Sequence, residues 1–353
     1  MVFNGSRLPV IRKVLFLVTI GLFGGLASLD AQSTMTILAD QPRNTISRHI
    51  YGQFSEHLGT GMYGGLWVGE DSGIPKTDGF RNDVVEALRE LEIPNIRWPG
   101  GCFADEYHWR DGVGPPGDRP TRINTHWGMV EEHNEVGTHE FMRLTELLDT
   151  EPYISANVGS GTPREMSNWI EYITYDGNSS LANLRRENGR KEAWEVKFWG
   201  IGNESWGCGG NMRAGYYADV YRRFATFAKD YSGNELYKIA SGFSDNHYEW
   251  TETVVERAGW MMDAISLHYY TIPTGDWEQK GPSKDFGEDM YFAGLRQGLK
   301  MEEYVSRHAT ILDKYDPEKR IALAVDEWGI WTDSLPGSNP GFLQQQNSIR
   351  DAL

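Results

Sequence analysis

Cysteine is scarce in this sequence: its 353 residues include only two, Cys102 and Cys208. This number excludes a small scaffold held together by disulfides. Without a neighbouring histidine pattern, the two thiols are also poor evidence for a zinc site, and we expect no metal. The two cysteines can pair in an oxidising compartment or stay free, and the sequence leaves both alternatives open.

Positive charge is also in short supply. The chain has 34 lysines and arginines against 50 aspartates and glutamates, which gives a formal net charge of −16. Such a surplus argues against nucleic acid or an anionic membrane surface as a partner. A Gly-x-Gly-x-x-Gly loop after the first predicted strand is missing too, which argues against a doubly wound sheet that binds a nucleotide.

Long apolar runs are limited to one, Val14–Leu29, which follows the basic residues Arg7, Arg12 and Lys13. This pattern predicts a signal peptide over residues 1–31 and a secreted protein, periplasmic or extracellular, that is not in a membrane after cleavage. The alternative is a membrane anchor, although the run is shorter than a typical membrane-spanning helix.

Aromatic residues, by contrast, are abundant, with 13 Trp and 17 Tyr. Many of the tryptophans stand next to Gly, Asn or acidic residues, which is typical of pockets that stack flat ligands such as sugar rings. Packing in the core is the alternative explanation.

From Ile50 onward, strand, loop and helix alternate seven times. A short first strand ends at Glu56, and six more are predicted at Pro94–Trp98, Pro152–Ala156, Trp194–Trp199, Tyr237–Ser241, Ala264–Leu267 and Ile321–Val325. The main helices are predicted at Phe80–Leu91, Thr138–Leu148, Pro163–Tyr172, Arg213–Lys229 and Met290–Tyr315, with a last one opening at Asn339-Pro340. This succession predicts a (β/α)8 barrel over residues 49–353 that is incomplete after strand seven. Residues 32–48 contain an edge strand outside it.

Polar residues collect where the predicted strands end. They are Glu56, His57, Cys102, Asn157, Asn203, Glu204, His268, Tyr270 and Glu327. In a barrel these positions share one mouth, and strands four and seven lie opposite each other, so Glu204 and Glu327 can point at a common centre. Two carboxyl groups about 5–5.5 Å apart are the arrangement for retaining glycoside hydrolysis. The simpler alternative for Glu204 is that it caps the following helix.

Four motifs and the C-terminal segment carry a family resemblance. They are Gly202-Asn203-Glu204-x-Trp206-Gly207-Cys208-Gly209-Gly210-Asn211-Met212, Arg97-Trp98-Pro99-Gly100-Gly101-Cys102-Phe103, Phe54-x-Glu56-His57-Leu58-Gly59, Asp326-Glu327-Trp328-Gly329 and Asn339–Leu353. In this order they resemble glycoside hydrolase family 51, the α-L-arabinofuranosidases. The similarity extends from about Ile37 to the C-terminus.

The resemblance implies a retaining, exo-acting α-L-arabinofuranosidase that needs no cofactor and acts on polysaccharides or oligosaccharides containing arabinose, such as arabinan and arabinoxylan. Glu204 corresponds to the general acid/base and Glu327 to the nucleophile. The implied arabinose contacts are Glu56, Cys102, Asn203, Tyr270 and Trp331, with Asn203 on the 2-hydroxyl and Tyr270 orienting the nucleophile. His268 is implied as a further contact, or it is a structural histidine. A homo-oligomer is a tendency of the family.

The chain departs from the family in length. Family members complete the barrel and add a C-terminal β-sandwich to which a strand like residues 32–48 contributes, and one sugar-binding group comes from beyond strand seven. Two other functions therefore stay open. One is a different retaining glycosidase, such as a β-xylosidase or endo-glucanase, and the other is an inactive, truncated carbohydrate-binding protein.

Overall fold

The computed structural model describes residues 38, 40–41, 45–335 and 347–353. The chain divides into two compact units, Met1–Ile46 and Ser47–Leu353, and the fold below is that of the second. The predicted signal peptide, most of the predicted strand over 32–48 and the start of the helix predicted at Asn339 lie outside the described residues. Among the described helices, none has the length and apolar character needed to cross a membrane.

Seven parallel strands form the central sheet: β1 (Gln53–Phe54), β2 (Asn95–Trp98), β3 (Glu151–Ala156), β4 (Phe198–Ile201), β5 (Tyr237–Ala240), β6 (Ala264–Thr271) and β7 (Ala322–Ile330). Each strand pairs with the next one along the chain, and every pair is parallel. All four residues of β2 and of β4 are buried, as expected for strands covered by helices. The prediction of a barrel is confirmed as a nearly closed sheet of seven described strands.

Besides short 3-10 helices, nine α-helices are described in this unit: α1 (Asn82–Glu90), α2 (Thr138–Leu148), α3 (Pro163–Thr174), α4 (Ser180–Glu187), α5 (Ala214–Phe227), α6 (Tyr248–Ala258), α7 (Glu288–Gly298), α8 (Lys300–Tyr315) and α9 (Ile349–Ala352). The single helix predicted over Met290–Tyr315 is in fact α7 and α8. The first of them ends at Gly298, a residue type with weak helix preference. The sequence analysis did not identify α4 or α6.

Strand four begins later than predicted. The apolar run Trp194–Trp199 predicted it, but the strand begins only at Phe198 and continues to Ile201. The reason is that the Asn234 side chain hydrogen-bonds to both backbone groups of Val196, accepting from its N–H at 2.8 Å and donating to its C=O at 2.9 Å. These groups are therefore not paired with a neighbouring strand. Trp194 and Val196 are therefore buried in the core without belonging to the sheet.

The aromatic residues both pack in the core and line a cavity, the two explanations considered in the sequence analysis. Trp98, Trp109 and Trp199 are at most 1% exposed and pack in the core, where the Trp98 ring stacks on Phe141 with centroids 4.8 Å apart. Other tryptophans line the cavity described next, namely Trp127, Trp206, Trp277 and Trp331. The high aromatic content thus reflects core packing on the helix side of the sheet and a ligand-sized cavity at its carboxyl edge.

Candidate active site

A cavity of about 740 Å³ lies at the carboxyl ends of the strands. Six of the eight residues singled out from the sequence line it: Glu56, Cys102, Glu204, Tyr270, Glu327 and Trp331. The remaining two, Asn203 and His268, are 2% and 1% exposed and contact residues of the lining. The structure therefore brings all eight together around one hollow.

Glu204 and Glu327 face each other in this cavity. One carboxylate oxygen of each lies within 4.8 Å of the other and of a His268 ring nitrogen. Glu204 stands in the sharp turn after β4 with a left-handed φ of +39°, a strained conformation for a residue with a side chain. The short oxygen–oxygen separation matches the spacing of retaining glycosidases and leaves less room than the 6.5–9.5 Å of inverting ones.

A β-bulge in β7 aims two neighbouring carboxylates into the barrel. The register passes from Leu267 opposite Val325 to His268 opposite Glu327, so Asp326 is the extra residue. Successive side chains of a regular strand point to opposite faces, and the bulge removes this alternation. Asp326 Oδ2 accepts from the Tyr153 hydroxyl at 2.7 Å. Glu327 Oε2 accepts from the Tyr270 hydroxyl at 3.0 Å.

Arg97, which the sequence analysis did not assign to the site, lies at its centre. Its guanidinium donates to Glu327 Oε1 at 2.8 Å, to Asn203 Oδ1 at 2.7 Å and to the Ser155 hydroxyl at 3.0 Å. Burial alone would lower the pKa of Arg97, but Asp326, Tyr153 and Glu327 raise it above its ordinary value. A permanent positive charge thus connects β2 to the residues at the ends of β3, β4 and β7. The sequence feature that could have identified Arg97 as a site residue is its position as a charged residue inside an apolar strand.

Replacing Arg97 by methionine is expected to lower the free energy of unfolding by about 3–5 kcal/mol, because two buried carboxylates lose their cation. Urea denaturation monitored by tryptophan fluorescence measures this difference. Arg307→Met is the matched control, since Arg307 lies at the surface of α8, where it pairs with Glu303 and lies over the Tyr248 ring at 4.3 Å, and such exposed pairs contribute little. Equal, small changes in both variants would show that Arg97 is not a structural cation.

His268 bridges two carboxylates. Its Nδ1 lies 2.8 Å from Glu204 Oε1, and its Nε2 lies 3.0 Å from Asp326 Oδ1. A neutral imidazole donates from only one nitrogen, so both contacts are satisfied in the imidazolium form. Burial works against this charge, but Glu327, Asp326 and Glu204 raise the pKa of His268 well above its ordinary value. The structure thus places His268 as a support of the carboxylates rather than on the cavity surface.

Asn203 and Gly101 meet beside Glu327. Arg97 occupies the Asn203 oxygen, so the Asn203 Nδ2 amide is the part that remains for a ligand; it lies 3.9 Å from Cys208 Sγ. A Cβ placed on Gly101 would stand 2.4 Å from Glu327 Oε1 and 3.2 Å from Asn203 Nδ2. Only glycine permits this close approach of the backbone to the carboxylate.

Glu56 is held by the loop after β2. Its Oε1 accepts from the backbone N–H groups of Gly101 at 2.8 Å and Phe103 at 3.0 Å. Burial, together with the negative charge of Glu327, raises the pKa of Glu56 from its ordinary 4.5 to about 7. Glu56 is therefore a carboxyl group that takes up a proton near neutral pH.

The raised pKa of Glu56 makes stability depend on pH. Between pH 4.5 and 7 the folded chain keeps a proton that the unfolded chain has released, so Glu56 lowers stability progressively as pH rises through this window. Glu56→Gln removes the titration. The stability of the variant relative to the original is expected to increase by about 1–3 kcal/mol from pH 4.5 to pH 7. Urea titrations at four pH values measure it, and a constant difference between the two proteins would refute the raised pKa.

Cys102 and Cys208 form a disulfide across 106 residues, which resolves the two alternatives left open by the sequence. The bond joins the loop after β2 to the loop after β4, and both cysteines line the cavity. Cys208 Sγ lies 3.7 Å from Glu204 Oε2. The disulfide thereby connects the loop that holds Glu56 to the loop that carries Glu204.

Two groups of described side chains bring possible metal ligands within 4.8 Å of one another: Cys102 with Glu204 and Cys208, and Glu204 with His268 and Glu327. The first group fits a metal poorly, because its sulfurs are bonded to each other and are not thiolates. The second fits poorly because His268 faces a carboxylate with each ring nitrogen.

Comparisons with known proteins show which family the chain resembles. The family model described as "Alpha-L-arabinofuranosidase 1 domain" matches residues 87–285. An intracellular exo-α-L-arabinofuranosidase from Bacteroides ovatus is 53% identical over 343 residues, which cover 97% of this chain and 66% of the relative. Among solved structures, the GH51 arabinofuranosidase from Xanthomonas axonopodis pv. citri has a TM-score of 0.87 and 58% identity, over 89% of this chain and 64% of that one.

The prediction of a secreted protein is contradicted by one of these relatives. The Bacteroides ovatus protein, which matches nearly the whole chain, is named as an intracellular enzyme. The prediction depended on residues 1–31, where basic residues precede an apolar run, and these residues lie outside the described part of the structure.

The chain matches only part of the length of these relatives. This chain spans 66% of the Bacteroides ovatus relative and 57% of the α-L-arabinofuranosidase from Thermotoga maritima, to which it is 37% identical with a TM-score of 0.73. The family model nevertheless covers more than half of the chain and includes Glu204. The chain belongs to the α-L-arabinofuranosidases of glycoside hydrolase family 51.

Proposed function

We propose that the protein, in its full length, hydrolyses terminal α-L-arabinofuranosyl residues from arabinose-containing polysaccharides or oligosaccharides and retains the anomeric configuration. The observation that carries this proposal is the pair of carboxylates, Glu204 and Glu327, with oxygens within 4.8 Å of each other in one sugar-sized cavity. This separation suits a carboxylate that attacks the sugar directly and leaves too little room for a water between carboxylate and sugar.

In the first step, the Glu327 carboxylate attacks the anomeric carbon while the bond to the leaving oxygen breaks. Glu204 gives its proton to that oxygen, and a covalent arabinosyl–Glu327 ester remains. In the second step Glu204 takes a proton from water, and the water oxygen replaces Glu327 on the same carbon. Two inversions at one carbon give net retention.

The surrounding side chains orient these two carboxylates. Arg97 holds one oxygen of Glu327 and Tyr270 holds the other, so the carboxylate cannot rotate away from the sugar. His268 orients Glu204 in a similar way: its Nδ1 contacts Glu204, while its Nε2 contacts Asp326 and so fixes the imidazole ring. This arrangement preorganises the charges before substrate arrives, which is the largest source of rate enhancement in many enzymes.

The arabinose itself would be bound by residues around Glu327. Glu56 offers a carboxyl group to sugar hydroxyls. The Asn203 Nδ2 amide donates one hydrogen toward Cys208 Sγ at 3.9 Å and can donate the other to the 2-hydroxyl. Trp331 and the Cys102–Cys208 disulfide supply apolar surface along the lining of the cavity. The family resemblance and the position of these side chains support this assignment.

The test is arabinose release by the full-length protein from arabinan and arabinoxylan, with the anomer formed first identified by NMR. Release of the α-anomer supports the proposal, and initial release of the β-anomer would contradict it. A panel of nitrophenyl glycosides separates the alternative of a β-xylosidase or endo-glucanase. Binding of arabinose without hydrolysis of any substrate would favour an inactive carbohydrate-binding protein.

Two further expectations from the resemblance are proposals of the same kind. One is a homo-oligomer, which light scattering during gel filtration measures. The other is a C-terminal β-sandwich that pairs with a strand in residues 32–48, which a structure of the full-length protein tests.

A further inference from the structure

His57 follows Glu56 directly, and the mechanism above gives it no role. Its side chain is buried, and it is not among the described residues that line the cavity. Its Nδ1 lies 3.0 Å from Glu132 Oε2, and its Nε2 accepts from the Trp98 indole N–H at 2.9 Å. An indole nitrogen can only donate, so Nε2 carries no proton and Nδ1 carries the one that is donated to Glu132. His57 is therefore a neutral imidazole that is held at both nitrogens.

Glu132 is a buried carboxylate, 3% exposed, that anchors this imidazole. Its Oε1 accepts from the Tyr63 hydroxyl and from the Asn134 backbone N–H, the latter at 2.8 Å. The Tyr63 hydroxyl also lies 3.4 Å from His57 Nδ1. A buried carboxylate needs such donors, because a charge that loses water without gaining hydrogen bonds is strongly destabilising. Glu132 thus connects His57 to the long segment between β2 and α2.

His57 in turn fixes the surroundings of Glu56. Its ring stacks on Phe103, with centroids 4.7 Å apart and planes at 7°, and the Phe103 backbone N–H donates to Glu56 Oε1. The backbone N–H of His57 donates to the Pro99 carbonyl at 3.1 Å, and its carbonyl accepts from the Asn124 amide at 2.6 Å. The same imidazole therefore holds the residue next to Glu56 and the loop that donates to the Glu56 carboxyl group.

The space around the Glu56 side chain is narrow. A Cβ placed on Gly100 would stand 2.5 Å from Glu56 Cγ, so the backbone of the loop after β2 packs directly against this side chain. Binding groups must be held within about 0.5 Å of their productive position to be effective. A small shift of His57 or of the loop would therefore move the carboxyl group out of place.

We infer that His57 and Glu132 are positioning residues, which hold the Glu56 carboxyl group in place for arabinose and thereby set the affinity for this sugar. This inference rests on the proposed function, in which Glu56 offers its carboxyl group to the sugar hydroxyls. The pair acts on a binding group and not on either of the two chemical steps. Its loss should therefore raise KM and leave kcat nearly unchanged.

The first test is His57→Phe, which keeps a ring stacked on Phe103 but removes both nitrogen contacts. In the full-length protein, KM for 4-nitrophenyl α-L-arabinofuranoside is expected to rise about tenfold, while kcat changes less than about threefold. His139→Phe is the matched control. His139 is a half-buried histidine of α2 that contacts the Tyr172 hydroxyl at 2.6 Å and lies away from the described cavity lining. This control should leave KM unchanged.

The same substitution in a Glu56→Ala background separates positioning from a general structural role. With no carboxyl group left to position, His57→Phe should change KM less than about twofold. A further tenfold rise in this background would show that His57 acts on some other group, and the inference would be wrong. An unchanged KM in folded His57→Phe would also overturn it.

Glu132→Gln covers the case in which His57→Phe fails to fold. Glutamine keeps the shape of Glu132 and still accepts from His57, but it lacks the negative charge. Because hydrogen bonds to a charged acceptor are about twice as strong as neutral ones, KM is expected to rise about two- to threefold, and only while Glu56 is present. The same KM as in the unaltered protein would contradict the inference.

A binding measurement distinguishes this inference from the proposed function. The probe is methyl 1-thio-α-L-arabinofuranoside, whose sulfur is a poor acceptor for the proton of Glu204, titrated calorimetrically into the full-length protein. Weaker binding to His57→Phe, with no such difference between Glu56→Ala and the double variant, supports the positioning role even if no arabinoside is hydrolysed. If arabinosides are hydrolysed but Glu56→Ala changes neither KM nor the affinity for the probe, the proposed function stands and the positioning role is refuted.

Discussion

Replacing Glu327 by alanine in the full-length protein is expected to lower kcat by at least about 10⁴-fold with every leaving group. The nucleophile is needed in both steps, so a leaving group that departs easily cannot compensate for its loss. This distinguishes Glu327 from every other side chain in the cavity. Rates on 4-nitrophenyl α-L-arabinofuranoside and on arabinan measure the effect. A residual rate above about 1% on either substrate would remove Glu327 as the nucleophile.

Azide provides the control for folding in this variant. The alanine leaves space beside the anomeric carbon, and azide can attack from that side while the nitrophenolate leaves. The product is expected to be the arabinofuranosyl azide of inverted, β configuration, detected by NMR. Glu256→Ala, an exposed carboxylate on α6, should keep its activity and give no azide product. Absence of rescue together with a native unfolding transition would argue that azide has no access to this side.

The residues that line the cavity could be predicted from the sequence because parallel strands all end at one edge of the sheet. Once seven strands alternated with helices, Glu204 and Glu327 were expected at a common mouth, and they lie there with oxygens within 4.8 Å. The same argument located Glu56, Cys102 and Tyr270 on the cavity lining. The alternation of strands and helices is visible in local stretches of sequence. Positions that depend only on this alternation can therefore be predicted from the sequence.

The buried residues that hold the lining side chains in place could not be predicted in this way. Asp326 faces inward only because a bulge interrupts β7, and a bulge leaves no mark in the alternation of apolar and polar residues. Asp105 is buried after β2 and accepts three backbone N–H groups, from Val158, Gly159 and Asn203, which ties together the loops after β3 and β4. Such contacts join residues 53 to 98 positions apart, so only the folded chain brings them together.

Glu204→Ala is expected to divide substrates by their leaving groups. With arabinan, where the leaving sugar oxygen needs a proton, kcat/KM should fall about 10²–10⁴-fold. With 4-nitrophenyl α-L-arabinofuranoside the first step needs little protonation, so kcat/KM should fall less than about tenfold. The second step still lacks its base, so kcat and KM should decline together as the arabinosyl ester accumulates.

Azide completes the argument for Glu204. In Glu204→Ala the ester on Glu327 still forms, and azide can replace the missing base and water because it attacks without losing a proton. The expected product is the arabinofuranosyl azide of retained, α configuration, opposite to that from Glu327→Ala. The two variants thus assign the two carboxylates to opposite faces of one sugar ring. If both gave the same anomer, or if Glu204→Ala slowed arabinan and the nitrophenyl arabinoside equally, Glu204 would not be the acid/base.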